Sequence, residues 1–320
     1  MSTEGGMKAV IAALLANLGI ACAKFVAFLL TQSSSMLAEA IHSLADSGNQ
    51  VLLLFGNKRS QRASTATHQF GYGRQRYIYG FIVAIVLFLV GGLFSLYEGI
   101  HKIQHPEDLN DPQIAFAVLF VAIILESFSL RTALKETNKV RGSRSLGRFV
   151  KDTRNPELPV ILLEDTGALL GLVFALIGIT LAVVTGNGAF DGMGAAAVGT
   201  LLIIIAIFLA MEMVSMLTGE AALPEEDDAI RTAIEATPGI ERVIHMKTLH
   251  LGPDEILVAA KVAVPAADSA GAIAGVIDRA EAQIRAVITG KKCVVYLEPD
   301  VFDPNHTSVT PSAPDGGSQH

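Results

Sequence analysis

Apolar residues along this chain gather into six long runs, at about 7–30, 35–56, 78–100, 113–134, 158–185 and 189–217. Each run exceeds the ~20 residues a helix needs to cross a ~30 Å hydrocarbon core. The pattern therefore predicts six membrane-spanning helices. Past Gly219 the periodicity changes. Pro224 and the acids Glu225, Glu226, Asp227 and Asp228 open a segment that looks water-exposed. Ile230, Ala233 and Ile234 suit a short amphipathic helix, stopped by Pro238-Gly239. ERVIHMKTLHL and EILVAAKVAV read as two strands around the turn Gly252-Pro253-Asp254, and Ile256, Val258, Ala260 and Val262 alternate with a period of two. Ile273, Val276, Ile277, Ala280, Ile284, Val287 and Ile288 return to helical spacing, and KKCVVYLEP reads as a third strand. Helix, strand, strand, helix, strand makes a small α+β domain. The expected boundaries are 1–219 for the helical part, 220–302 for the α+β domain and 303–320 for a polar tail rich in turn formers, expected to be disordered. The two halves show no internal repeat.

Composition agrees with a membrane protein: 51% of residues are hydrophobic and only 17% charged, and mean hydropathy is +0.47. The first apolar run lacks a small-residue cleavage site, so it is expected to stay as a helix and not to be a signal peptide. Cys22 and Cys293 lie far apart and form no CxxC pattern, so no disulfide framework is expected. Charge in the connections orients the helices. The 57–77 loop carries Lys58, Arg59, Arg62, Arg74 and Arg76 and no acid. The 131–154 stretch carries eight bases, from Arg131 to Arg154, against Glu136 and Asp152. The alternate connections are neutral or acidic: TQSSS, then HKIQHPEDLNDP, then TGNGAFDG with Asp191 alone. Basic connections stay on the cytoplasmic side, which puts both termini there. Topology thus accounts for the basic loops without nucleic acid. There is no nucleophile–base pair, phosphate loop or cofactor fingerprint, so neither an enzyme nor a bound cofactor is expected.

Ionisable groups at membrane depth cost several kcal/mol and are functional candidates by default. The chain has Lys24 in the first run, Glu39, His42 and Asp46 in the second, Glu126 in the fourth, the adjacent Glu164 and Asp165 in the fifth, and Glu212 near the inner end of the sixth. His42 and Asp46 are four apart and stack on one helix face. Imidazole with carboxylate suits Zn²⁺, Co²⁺ or Ni²⁺. Two ligands leave a tetrahedral site incomplete, and LLED in the fifth run is the best supply of more. Neighbouring helix residues diverge by about 100°, so Glu164 and Asp165 cannot both aim at one ion. The competing reading is a salt bridge that packs helices, with Lys24 or Arg131 holding one of the acids.

Asn17, Lys24, SSSMLAEAIHSLADSGNQ, HQFGYGR and the terminal α+β domain together resemble the cation diffusion facilitator family over residues 7 to 300. The resemblance implies six transmembrane helices and a cytoplasmic ferredoxin-like domain. It also implies a Y-shaped homodimer that moves divalent transition metal across the bilayer in exchange for protons. It places metal on His42 and Asp46 of the second helix and Asp165 of the fifth, with Gly171 in its expected place. Ile161 stands where the family has the remaining fifth-helix ligand, which marks a divergent subgroup with LED there. Glu164 would fill that gap, or else water or Asn17. In the loop His68 is kept while Tyr72 replaces the second histidine, so a loop metal site would be weak or absent. His245 and His250 are oddly spaced on one strand, which favours dimer contact over a metal cluster. Glu39, one turn outward of His42, is expected to line the exit. The expected function is zinc efflux from a bacterial inner membrane. The alternatives are a manganese, iron or cobalt exporter, or a non-transporting membrane-anchored metal sensor or scaffold.

Overall fold

The computed structural model describes residues 3–303, with side chains from Asn17 onward, Phe88 excepted. It divides into two units, Met1–Leu217 and Thr218–His320. The tail expected from sequence lies, past Asp303, outside the described residues.

The first unit is helical. It comprises α1 (Thr3–Thr31), α2 (Ser34–Ser60), α3 (Gln75–Val86), α4 (Phe94–Gln104), α5 (Pro112–Val140), α6 (Leu146–Asp152), α7 (Glu157–Thr185) and α8 (Ala189–Thr218). A π-helical segment, Leu87–Leu93, joins α3 to α4. Among the described residues, four stretches are long and apolar enough to cross a membrane by themselves: Gln75–Gln104, Pro112–Val140, Glu157–Thr185 and Ala189–Thr218. α1 adds the apolar stretch Asn17–Thr31. α2 has the length, at 27 residues, but too many polar side chains for that measure. Those side chains face protein: Ser34, Ser35, Glu39, His42, Ser43, Asp46 and Asn49 are all buried. A polar helix can stand among apolar ones when its neighbours, not lipid, meet its polar face.

The connections sort by charge. Lys102 reaches the carbonyl of Gln32 and the Asp191 carboxylate, and Asn110 N donates to Thr31 O at 3.0 Å. The uncharged and acidic connections therefore share one end. At the other end Arg76 pairs with Glu157 at 2.8 Å, and the Tyr77 hydroxyl donates to Arg154 O at 3.0 Å. That end holds both basic connections. One of them is more ordered than its composition implied. α5 continues to Val140, and α6 folds back with Phe149 and Val150 buried beside Ala133 and Leu162. The many bases of this stretch mask its short apolar period, which hid the helix from a hydropathy reading.

Small residues let α4 and the π segment approach α8. A Cβ on Gly99 would lie 2.3 Å from Ala196 N, and one on Gly199 would lie 2.4 Å from Leu96 N. The obstructing atoms are backbone, so no rotamer change relieves the clash. Gly99→Ala is expected to force the helices apart and cost roughly 1–3 kcal/mol, the range for overpacking. A lowered melting temperature in detergent checks it; an unchanged one would show that the contact yields freely.

The second unit holds α9 (Pro224–Glu235), β1 (Arg242–Gly252), β2 (Glu255–Ala263), α10 (Ala270–Val287) and β3 (Lys292–Asp300), in the order the periodicity predicted. The sheet runs β1-β2-β3. β1 and β2 pair antiparallel as a hairpin, and β2 and β3 pair parallel across α10. Ile256, Val258, Ala260 and Val262 point to one face and join Ile230, Ile234, Val276, Ala280 and Ile284 in a single core. Ser269 starts α10 by accepting Ala272 N at 3.3 Å. Lys261 bridges to β3, with Asp300 at 2.8 Å and Glu298 at 3.3 Å. Those two carboxylates, Asp300 first, raise its pKa.

Candidate metal centre

The centre is built on α2, and the start of α2 is tied down. Ser33 caps it, its hydroxyl accepting Met36 N at 3.2 Å. The buried Asp191 carboxylate, from the first turn of α8, accepts from Ser33 Oγ at 2.7 Å, Ser34 N at 2.7 Å and Ser35 N at 3.2 Å. A carboxylate at a helix N-terminus satisfies orphan N–H groups and complements the helix dipole. Asp191 is thus an internal anchor that sets the height of α2.

Below that anchor, Glu39, His42, Asp46 and Asn49 recur every three or four residues, and Ser43 follows Glu39 by four, so all share a face. His42 is fully buried, and neither of its ring nitrogens has a hydrogen-bond partner. Its Nδ1 lies 3.4 Å from Asp46 Oδ1, an atom that is also unpartnered. Unpaired buried polar atoms cost about 1–3 kcal/mol each and call for an explanation. Two ligands at ~2.0–2.1 Å from a tetrahedral ion stand about 3.3 Å apart. The observed separation matches that spacing.

Glu164 approaches from α7. Its carboxylate accepts from Asn49 Nδ2 at 3.0 Å and lies within hydrogen-bonding reach of Asp46. Asp165, the next residue, turns to α5 and accepts from Ser129 Oγ at 3.0 Å. The helical twist between neighbours divides the pair: Glu164 faces α2, and Asp165 faces α5. That ordering differs from the one the resemblance implied, in which Asp165 was the ligand and Glu164 the substitute. Among the described residues, no three His, Cys, Asp or Glu side chains already stand in a metal-holding group. An ion on His42 and Asp46 would have to draw Glu164 in from Asn49.

A cavity of about 260 Å³ lies beside the centre. On α2 its wall runs from Ser43 and Asp46 through Gln50 to Asn57, and on α7 from Glu164 and Asp165 through Ile161 to Glu157. Eleven helical residues span about 16 Å. The cavity therefore leads from the centre toward the end that carries the basic connections. Asn17 and Glu126 also line it. Ile161 adds an apolar wall and no ligand. His68 is apart from all this, exposed in the 61–74 connection with its ring 4.6 Å from that of Tyr72.

Glu39 departs from expectation. It lines no open path but is fully buried, pairing with Lys24 Nζ at 2.9 Å. The salt-bridge reading thus holds for Glu39 and Lys24. Sequence reasoning also passed over Asn49, although it lies seven residues past His42, two turns along the same face. In the second unit His245 and His250 are not brought together. His250 Nε2 lies 3.9 Å from Glu226 on α9, while His245 lines a surface hollow with Lys247, Tyr296 and Glu298. Cys22 and Cys293 are both free.

Residues 10–218 match the family model described as cation efflux transmembrane domain, and residues 222–300 match that of the cation efflux protein cytoplasmic domain. The mouse protein named proton-coupled zinc antiporter SLC30A9, mitochondrial, is 32% identical over 262 residues, covering 81% of this chain and 46% of that one. Metal tolerance protein C4 of Arabidopsis thaliana is 26% identical, covering 82% of this chain and 58% of its own length. The cation-efflux pump FieF of Serratia proteamaculans is 24% identical over 73% of each chain. The chain thus spans about half the length of the mouse relative.

Proposed function

The chain belongs to the cation efflux family, and from that premise we propose that it exports a divalent transition-metal ion, zinc by preference, in exchange for protons. One observation carries the reading. His42, buried with both ring nitrogens unpaired, faces the unpaired Asp46 Oδ1 at the spacing of two ligands on one ion. Glu164 stands opposite to close the site, and Asn49 holds it from α2. Imidazole nitrogen with carboxylate oxygen suits zinc, and the mouse relative is named as a zinc antiporter. The cavity faces the basic, cytoplasmic end, so this is the inward-facing state. Loading needs a neutral imidazole and ionised carboxylates, so the ion displaces protons as it binds. Reprotonation of the same groups from the other face releases it.

In this reading the helices span the membrane six times with both termini cytoplasmic, and residues 222–300 pair two copies. The membrane is a proton-energised one, such as a bacterial inner membrane. A second metal is favoured by one observation. Glu164, Asp165, Asn49 and Glu126 make the surroundings rich in oxygen, which suits Mn²⁺ or Fe²⁺ better than zinc. Flux into proteoliposomes of Zn²⁺, Mn²⁺, Fe²⁺ and Co²⁺, with and without a pH gradient, tests both. Zinc should move fastest, and the gradient should accelerate it. Binding without flux for every ion would sink transport and leave an anchored sensor or scaffold.

A further inference from the structure

The cavity stops at Ser43 and Asp46 on α2 and at Ile20 on α1. One turn farther from the basic end, about 6 Å away, comes a closed layer. Lys24 Nζ donates to Glu39 Oε2 at 2.9 Å and to Ser43 Oγ at 2.7 Å. Lys24 and Glu39 are both 0% exposed. The other Glu39 oxygen lies where a side chain on Gly171 would begin, 2.6 Å from the position of that Cβ. Glu39 thus reaches α1 through Lys24 and rests on bare α7 backbone at Gly171. Outward of it α2 stays sealed: every residue from Ser34 to Ala40 but Leu37 is buried.

We propose that the Lys24–Glu39 ion pair, seated on Gly171, is the latch that closes the ion path at the end opposite the basic loops. The inference rests on the reading of the cavity as an ion path. Its physical basis is the near cancellation between desolvation and Coulomb attraction in a buried ion pair. When water enters on opening, each charge regains hydration as the pair separates. A polar latch of this kind is therefore reversible, where an apolar seal of equal area would lose its burial with nothing in return. Gly171 fits the same role, because any side chain there would push the Glu39 carboxylate off Lys24.

The test reads accessibility. With Cys22→Ala and Cys293→Ala in place, Ile20→Cys puts a thiol in the cavity wall one turn from Lys24. A membrane-impermeant maleimide should label it from the basic-loop face and not from the opposite face. Lys24→Gln or Glu39→Gln should raise labelling from the opposite face by about tenfold or more, the scale of a modest population shift. The exchange Lys24→Glu with Glu39→Lys should restore protection. Continued protection from the opposite face in the single variants, with basic-face labelling intact, overturns the latch. Should a neutral variant lose basic-face labelling through misfolding, Gly171→Ala reads the same latch with both charges kept. Raised opposite-face labelling there supports it, and unchanged protection overturns it. Zinc flux is measured separately. A chain that labels as expected but carries no metal overturns transport alone, and one that carries zinc with every latch variant protected overturns the latch alone.

Discussion

Asp46→Ala should cut zinc flux into proteoliposomes by about 100-fold or more while leaving the melting temperature unchanged or raised. The outer partners of a metal ligand are themselves worth roughly 10–100-fold, and Asp46 is proposed to touch the ion. The stability half of the expectation comes from its surroundings. Asp46 is buried, has one unpaired oxygen, and lies against a second carboxylate, Glu164. Two carboxyl groups buried side by side with no cation between them are costly to desolvate, so removing one relieves the fold. A residue kept for packing behaves in the opposite way: its loss lowers stability first and activity through it. His42→Ala should follow Asp46→Ala in flux, because its Nδ1 stands 3.4 Å from Asp46 Oδ1 at the spacing of two ligands on one ion. Flux and melting curves measured on the same preparations decide. Retained flux, or flux lost only in step with a falling melting temperature, would remove these residues from the site.

Much of this was legible in the chain because membranes make polar residues conspicuous. Each apolar run became helical, the third as α3, the π-helical segment and α4 in succession, and the spacing of His42 and Asp46 was enough to place them on one face. The terminal domain was readable for a different reason: its periods of two and of three to four change at turn residues such as Gly252-Pro253-Asp254. What the sequence did not disclose is how helices rotate against one another. Whether Glu164 or Asp165 faces α2 depends on the twist of α7 in its packed place, and no local pattern encodes that. The partnership of Lys24 with Glu39 was open for the same reason, since several acids were within sequence reach of one lysine. Asp191 looked like the lone charge of a loop, yet it is buried and caps α2. Its role depends on a contact with residues more than 150 positions away. α6 was hidden by its own surface, since a seven-residue helix with bases on its outer side has too little apolar length to register.

The rotation of α7 can be tested by two substitutions that change charge and little else. Glu164→Gln keeps an oxygen to accept from Asn49, and Asp165→Asn keeps one to accept from Ser129. Both should fold as the parent does. If Glu164 closes the site with His42 and Asp46, removing its charge takes a ligand anion from the ion. Zinc flux should then fall by about 10–100-fold, the scale seen when groups around a metal are altered. Asp165→Asn should change it by no more than about threefold, because a half-buried carboxylate held by Ser129 on the α5 side acts on the ion only at a distance. A double-mutant cycle sharpens the comparison. Asp46→Asn with Glu164→Gln should be strongly non-additive, since the two share one ion, whereas Asp46→Asn with Asp165→Asn should be close to additive. The alternative inherited from family resemblance makes a different forecast, with Asp165 as a ligand and Glu164 filling the place left open at Ile161. A larger loss from Asp165→Asn than from Glu164→Gln would mean that Asp165, and not Glu164, turns toward His42 and Asp46 to hold the ion, a rotation of α7 by about 100°.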